Sequence, residues 1–381
     1  MNTKRNNHSK ILLRIFLFFA LLVCYGFSAT LVRAAPFLYV ADDGSGTVEV
    51  VDLANNEVVA VIPVIGERPY GIAITPDGHY AYVANRDSGL VTVIDTMSNT
   101  VINNIEVGGE PYWVAVTPDG RHVYVAKGSS NTVSVIDTAT NIVTDEIDVG
   151  WGTTGVAISP NGAYVYVASP SVSRVVVIDT SNNQVAATIH TGWGAVQVAI
   201  SQDGKYVYVT NNGVNNVSVI DTSSNLVVAT IDVGANPMVL AVTPDGKYVY
   251  VTNTNSYGVS VIDTATYTVM DTIATDTNTV GVAISSDGRY AYLAHGFISV
   301  VDIASNTTVA TAPTTGAMYG VAVTPSKLPS NKDQCKNGGW KNYGYNNQGQ
   351  CIRDINTACN KSKSARSGGL QKFKHLEECR W

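Results

Sequence analysis

The sequence of 381 residues predicts an all-β fold, a seven-bladed propeller of four-stranded blades. Three observations carry this. A Tyr recurs at Tyr39, Tyr82, Tyr124, Tyr166, Tyr208, Tyr250 and Tyr292, with one step of 43 residues and five of 42. An Asp recurs independently at Asp52, Asp95, Asp137, Asp179, Asp221, Asp263 and Asp302, again seven times. Each unit holds four short Val-rich runs separated by turn residues and no ten-residue apolar pattern of period 3.6, which excludes a helical solenoid. Composition agrees: 45% hydrophobic and 14% charged residues exclude a disordered chain.

Residues 112–149 show one unit. Tyr112–Thr117 alternates, and Pro118-Asp119-Gly120 is a tight-turn signal. His122–Lys127, Thr132–Asp137 and Ile142–Val149 follow as second, third and fourth strands. The first strand of every unit centres on an Ala (Ala73, Ala115, Ala157, Ala199, Ala241, Ala283, Ala322) flanked by larger aliphatics such as Ile72 and Ile74. Strand side chains alternate faces, so the bulky face of one blade fills the small face of the next. The first unit begins at its second strand, Phe37–Ala41. A spare first strand, Tyr319–Thr324, follows the seventh unit and would complete the first, closing the ring.

Tyr208-Val209-Thr210-Asn211 and Tyr250-Val251-Thr252-Asn253, with the surrounding P-D-G-x-Y-V-Y-V and V-S-V-I-D-T stretches, resemble the YVTN, or surface-layer protein, β-propeller repeat. The resemblance covers residues 37–325. It implies the propeller fold, and for function it leaves open surface-layer and adhesion proteins, lactonase-like enzymes and a DNA-binding protein.

Residues 1–34 read as an export signal. A basic start (Lys4, Arg5, Lys10, Arg14) precedes an apolar run from Ile15 to Phe27, and Val32-Arg33-Ala34 offers a cleavage site. The competing reading is an uncleaved anchor. The propeller occupies residues 35–326. Residues 327–381 form a linker and a small basic module. Its Cys335-Lys336-Asn337-Gly338-Gly339-Trp340 stretch resembles a Cys-Gly-Gly-Trp module found at the ends of secreted microbial proteins. Cys335, Cys351, Cys359 and Cys379 are disulfide candidates with three possible pairings; a zinc site would need closer ligand pairs. Helix potential begins near Leu370. The module reads equally as an attachment element or as a stapled cap on the ring.

Charge is unevenly spread. Residues 35–326 carry 8 Lys/Arg against 26 Asp/Glu, while residues 327–381 carry 11 against 4. An acidic body disfavours nucleic acid, whose binding depends on phosphate neutralisation. The basic segment suits an anionic polymer or the body itself.

The repeated Asp residues, including those of the Asp-Gly turns, are explained by the fold, since an Asp after a strand accepts turn N–H groups. Departures from the repeat are more informative. Trp113, Trp151 and Trp193 fall in consecutive blades, on the face shared by segments entering first strands and loops leaving second strands. Tyr70, Tyr112, Met238, Met318 and Tyr319 occupy equivalent entry segments. Glu67, Arg68, Arg86, Asp87, Glu110, Lys127, Asp276 and His295 place charges on the same face. Such an aromatic ring suits stacking on sugars or gripping a partner, or else plugs the mouth by packing on itself. The ligand- or partner-binding candidates are therefore Tyr70, Tyr112, Trp113, Trp151, Trp193, Tyr319, Glu67, Arg68, Glu110 and His295.

No G-x-S-x-G or H-E-x-x-H motif appears, so no catalytic residue, metal ligand or cofactor is assigned. The sequence predicts a secreted, periplasmic or cell-surface binding protein rather than an enzyme. The expected partner is a cell-envelope component, glycan or protein. The expected state is monomeric, with membrane attachment only through an uncleaved signal. The alternative is a lactonase-like or other hydrolytic propeller working at the same mouth.

Overall fold

The computed structural model describes residues 36–325 except 67, 315 and 317. Residues 1–34, read above as an export signal, Glu67 and the four C-terminal cysteines lie outside the described residues. Those that are described form seven antiparallel four-stranded sheets. Blade three runs Pro111–Val116, His122–Lys127, Thr132–Asp137 and Ile142–Asp148, within a residue of the sequence-derived bounds.

The ring closes as the spare strand requires. Met318–Val323 pairs antiparallel with Phe37–Asp42, with Leu38 opposite Val323 and Tyr39 opposite Ala322. Phe37 N donates to Thr324 Oγ1 at 2.7 Å, and Thr324 N donates to Phe37 O at 2.8 Å. The two ends of the propeller thus share blade one.

Hydrophobic side chains form seven clusters, each between consecutive blades. One joins Tyr124, Val133 and Ile147 of blade three to Val165 and Ile178 of blade four. The cluster at the seam joins Tyr292 and Val300 of blade seven to Leu38 and Met318 of blade one. The core is therefore a ring of interfaces, and each blade is stable only between its neighbours.

The repeated residues take structural positions. In blade three the Thr117 hydroxyl donates to Asp119 at 2.6 Å and accepts the His122 N–H at 3.0 Å, while Gly120 takes φ +74°. The Asp137 carboxylate accepts both the N–H and the hydroxyl of Thr140 at 2.8 Å. The recurring Tyr does more than pack: Tyr82 OH donates to Asn141 Oδ1, and Tyr124 OH to Asn183 Oδ1, each at 2.8 Å. Each of those Asn residues sits at φ +55° in the outer hairpin of the following blade. Asn tolerates the left-handed region, and there its side chain meets the preceding blade. Among the described residues no helix is long and apolar enough to cross a membrane.

Candidate functional site

First strands are the innermost of each blade, pack against the first strands of the neighbouring blades, and begin at the loop face singled out by the sequence. At the channel mouth the entry position carries Tyr319, Tyr70 and Tyr112 in blades one to three, and Thr154, Val196, Met238 and Val280 in blades four to seven. Tyr70 is the centre of the aromatic set. It stacks on Tyr319 with ring centroids 4.2 Å apart and meets Tyr112 edge-on at 5.2 Å. Burial, and then the neighbouring Tyr319, raises the Tyr70 phenol well above its ordinary value.

One position further in, the residue is Gly in blades one, two, four and seven, and Trp113 in blade three. Inner strands approach so closely that a Cβ on Gly71 would come within 2.7 Å of Trp113 Cα. Trp113 takes the room these glycines leave. It packs both on the cluster between blades three and four and on the cluster between blades six and seven. A side chain reaching both crosses the axis, so Trp113 plugs the channel. Tyr70 lies edge-on to it at 6.0 Å.

A charged sector surrounds the tyrosines on blades one to three. Arg68, at φ +57°, donates to both carboxylate oxygens of Asp43, at 2.8 and 3.2 Å. That bonding, reinforced by the Asp43 charge, raises the guanidinium pKa further. The Arg86 guanidinium lies 4.7 Å over the Tyr112 ring, and its Nε is 3.7 Å from Glu110. Arg68, Glu110, Tyr70, Tyr112 and Tyr319 therefore form one network.

His295 stands apart. It is 4% exposed, its Nε2 lies 2.8 Å from Ser299 Oγ, and its Nδ1 lies 3.4 Å from Thr277 Oγ1. Burial lowers its pKa, with Asp276 opposing. The same repeat position holds Asn85, Asn211 and Asn253, whose amides donate to Thr92, Ser218 and Ser260 in the same way. His295 thus fills a structural slot. Lys127 fills that slot in blade three, buried, with Nζ bonded to Val107 O and both oxygens of Glu146. Burial alone would raise the Glu146 carboxyl. Bonds from Lys127, Ser134 and Thr132 outweigh it and hold that carboxyl below its ordinary range.

Trp151 and Trp193 are 56% and 66% exposed on the entry loops of blades four and five. Tyr257, 56% exposed on the neighbouring loop of blade six, was not singled out by sequence. Its signal was legible: it takes φ +50° at a hairpin position where other blades use Gly, Asn or Ser.

On the opposite face, recesses of about 420 and 400 Å³ open between blades three and four and between blades five and six. They are lined by the turn residues of the repeat, including Asp119, His122 and Asn183 in the first. Among the described residues no three His, Cys, Asp or Glu side chains converge on a point.

No curated protein matches the chain by sequence. Among solved structures, hydrazine synthase from Kuenenia stuttgartiensis is 28% identical with a TM-score of 0.59, over 65% of this chain and 86% of that one. The dihydro-heme d1 dehydrogenase NirN, in complex with DHE, is 19% identical with a TM-score of 0.58, over 76% of this chain and 75% of its own. A putative 6-phosphogluconolactonase from Bacteroides fragilis is 16% identical with a TM-score of 0.65, over 77% and 99%. At these last two identities the likeness is one of fold. The family model that matches is the cytochrome D1 heme domain, in place of the surface-layer repeat that the Tyr-Val-Thr-Asn motifs resemble. Its two overlapping matches, residues 36–148 and 125–238, together span more than half of the sequence. The chain belongs to the cytochrome D1 heme domain family.

Proposed function

We propose that this propeller is an exported cell-surface or extracellular binding protein that takes its partner on the loop face around the closed channel mouth. The observation that carries this reading is the pair Trp151 and Trp193, presented to solvent at equivalent positions of consecutive blades. Exposed Trp side chains grouped on one face mark recognition surfaces, because each combines a large apolar area with a polar edge.

The family's name raises haem as a ligand of the mouth. Haem iron is held by an axial His, Cys, Met or Tyr beside a slot for the flat ring. The Trp113 side chain crosses the axis where that slot would lie. Both His295 nitrogens are engaged, and Met318 Sδ accepts the Thr314 hydroxyl at 3.0 Å. Met238 packs into the cluster between blades six and seven. Of the mouth tyrosines, Tyr70 stacks on Tyr319 and meets Tyr112 edge-on, so their rings pack on one another rather than flank a slot. These residues do not fit a haem in the channel.

The lactonase-like alternative draws on fold likeness alone. The carboxylates of the charged sector are committed to arginines, Asp43 to Arg68 and Glu110 to Arg86. Asp276, exposed on the entry loop of blade seven near the buried His295, is not tied to an arginine, but among the described residues no three His, Cys, Asp or Glu side chains gather there, which favours binding over hydrolysis.

The test is binding of the mature protein to isolated cell envelopes, with and without residues 327–381, across a salt series. Retention by the propeller alone, weakened by Trp151→Ala or Trp193→Ala, is the expected result. Retention that needs residues 327–381 and fades with salt would instead make the basic segment an electrostatic anchor. No retention in either form would overturn the reading.

A further inference from the structure

The loop face divides by charge. Blades one to three carry Asp43, Arg68, Arg86, Asp87 and Glu110. On blades four to six the entry loops 149–154, 191–196 and 233–238 and the hairpin loops 170–173, 212–215 and 254–257 contain no Lys, Arg, Asp or Glu. Between Asp148 and Asp203 the chain has two such residues, Arg174 and Asp179. Asp179 ends its strand on the opposite face, and Arg174 Nη2 donates to Val149 O at 2.9 Å. Asp148, whose carboxylate accepts the Gly150 N–H at 2.9 Å, and Asp232 end the fourth strands that border these loops. The loops between them form a largely neutral sector, set in a strongly acidic body, where Trp151, Trp193 and Tyr257 are exposed.

From this, and resting on the binding role proposed above, we infer that the neutral sector of blades four to six is a binding site for an uncharged glycan. The chemistry is specific in two respects. Sugar rings present C–H faces that stack on Trp and hydroxyls that pair with amides and other hydroxyls. The sector supplies both, with Asn212, Asn236 and Asn255 among its loops. A charged glycan would find few counter-ions here, since Arg174 is bonded to Val149 O and the nearest carboxylates, Asp148 and Asp232, stand at the sector's edge, and a polyanion would meet the repulsion of the body.

The tryptophans are also held in place. Ser169 Oγ donates to Trp151 O at 3.2 Å, Gly213 N donates to Trp193 O at 3.1 Å, and Asn212 N donates to Gly194 O at 2.9 Å. Gly194, at φ +77°, lies so close to Asn212 that a Cβ would come within 2.3 Å of its Oδ1. Rigid loops spare the site the entropy of ordering on binding.

The experiment uses the mature full-length protein and isolated envelopes treated in two ways, by protease to strip proteins and by periodate to open sugar diols. Tryptophan fluorescence titrations with cellohexaose, maltohexaose, chitohexaose and anionic hexagalacturonate run alongside. Binding that survives protease, is lost after periodate, is competed by a neutral hexasaccharide and falls at least tenfold in Trp193→Ala, with recovery in Trp193→Tyr, supports the inference. Binding that survives periodate and is lost after protease overturns it while leaving the binding role intact, the partner then being a protein. Preference for hexagalacturonate also overturns it. Failure to bind any envelope overturns both readings together. Because Trp151 and Trp193 are exposed, unchanged melting temperatures in the Ala variants separate lost recognition from lost fold.

Discussion

The ring of Tyr319 lies stacked on that of Tyr70, centroids 4.2 Å apart and planes 25° apart, so a residue of the last strand packs on one of the first complete blade. The contact is made at the seam where the chain closes on itself. Tyr319 reaches it only because Met318–Val323 pairs with Phe37–Asp42. Closure of the ring and assembly of the mouth are therefore one event.

Ending the chain at Gly316 removes that strand, exposes the edge of Phe37–Asp42 and opens the cluster between blades seven and one. The expected outcome is loss of a cooperative thermal transition, whereas a chain ending at residue 326 melts cooperatively. A soluble, cooperative melt of the shorter chain would show that the seam is dispensable.

Trp113→Ala empties the axis. Truncating a packed Trp costs about 3 kcal/mol or more, which in a domain of this size lowers the melting temperature by about 6–10 °C. Trp151→Ala, at an exposed site, shifts it by about 1 °C or less. Differential scanning calorimetry of the two variants checks the contrast. Equal shifts would mean that Trp113 does not fill the channel.

The bond from Tyr124 to Asn183 joins blade three to blade four. Tyr124→Phe and Asn183→Gly each remove it, the Gly keeping the left-handed backbone of position 183 accessible. Each single change is expected to cost about 1 kcal/mol, and the double variant less than the sum. Urea denaturation of the four proteins completes the cycle, and strict additivity would sink the clasp.

Acid acts in two windows. His295 has a folded pKa below its ordinary 6.5, so below pH 6.5 the unfolded chain takes up a proton that the folded one resists. Stability therefore falls as pH drops below 6.5, and His295→Asn, the residue used in three other blades, flattens that slope. Turn N–H and hydroxyl groups lower the pKa values of Asp137, Asp179 and Asp221. Their contribution is present above the ordinary 3.8 and is lost as pH falls below it. Chemical denaturation between pH 3 and pH 8 resolves both windows.

The sequence by itself determined the architecture: blade number, strand bounds, the seam and the shared loop face all follow from a 42-residue period and from period-2 alternation. These are local signals, repeated seven times, and a repeat protein adds little to them beyond neighbour contacts. The roles of non-repeating residues were decided by tertiary structure. Trp113, Trp151 and Trp193 look alike in sequence, yet one crosses the channel while the other two stand in solvent. Room across the axis is set by residues three and four blades away. His295 and Lys127 read as loop-face charges, but their burial depends on strand-three and strand-four partners brought alongside by sheet pairing. The neutral sector was also latent in the sequence, since its loops lie 20 to 40 residues apart and become one surface only when three blades stand side by side.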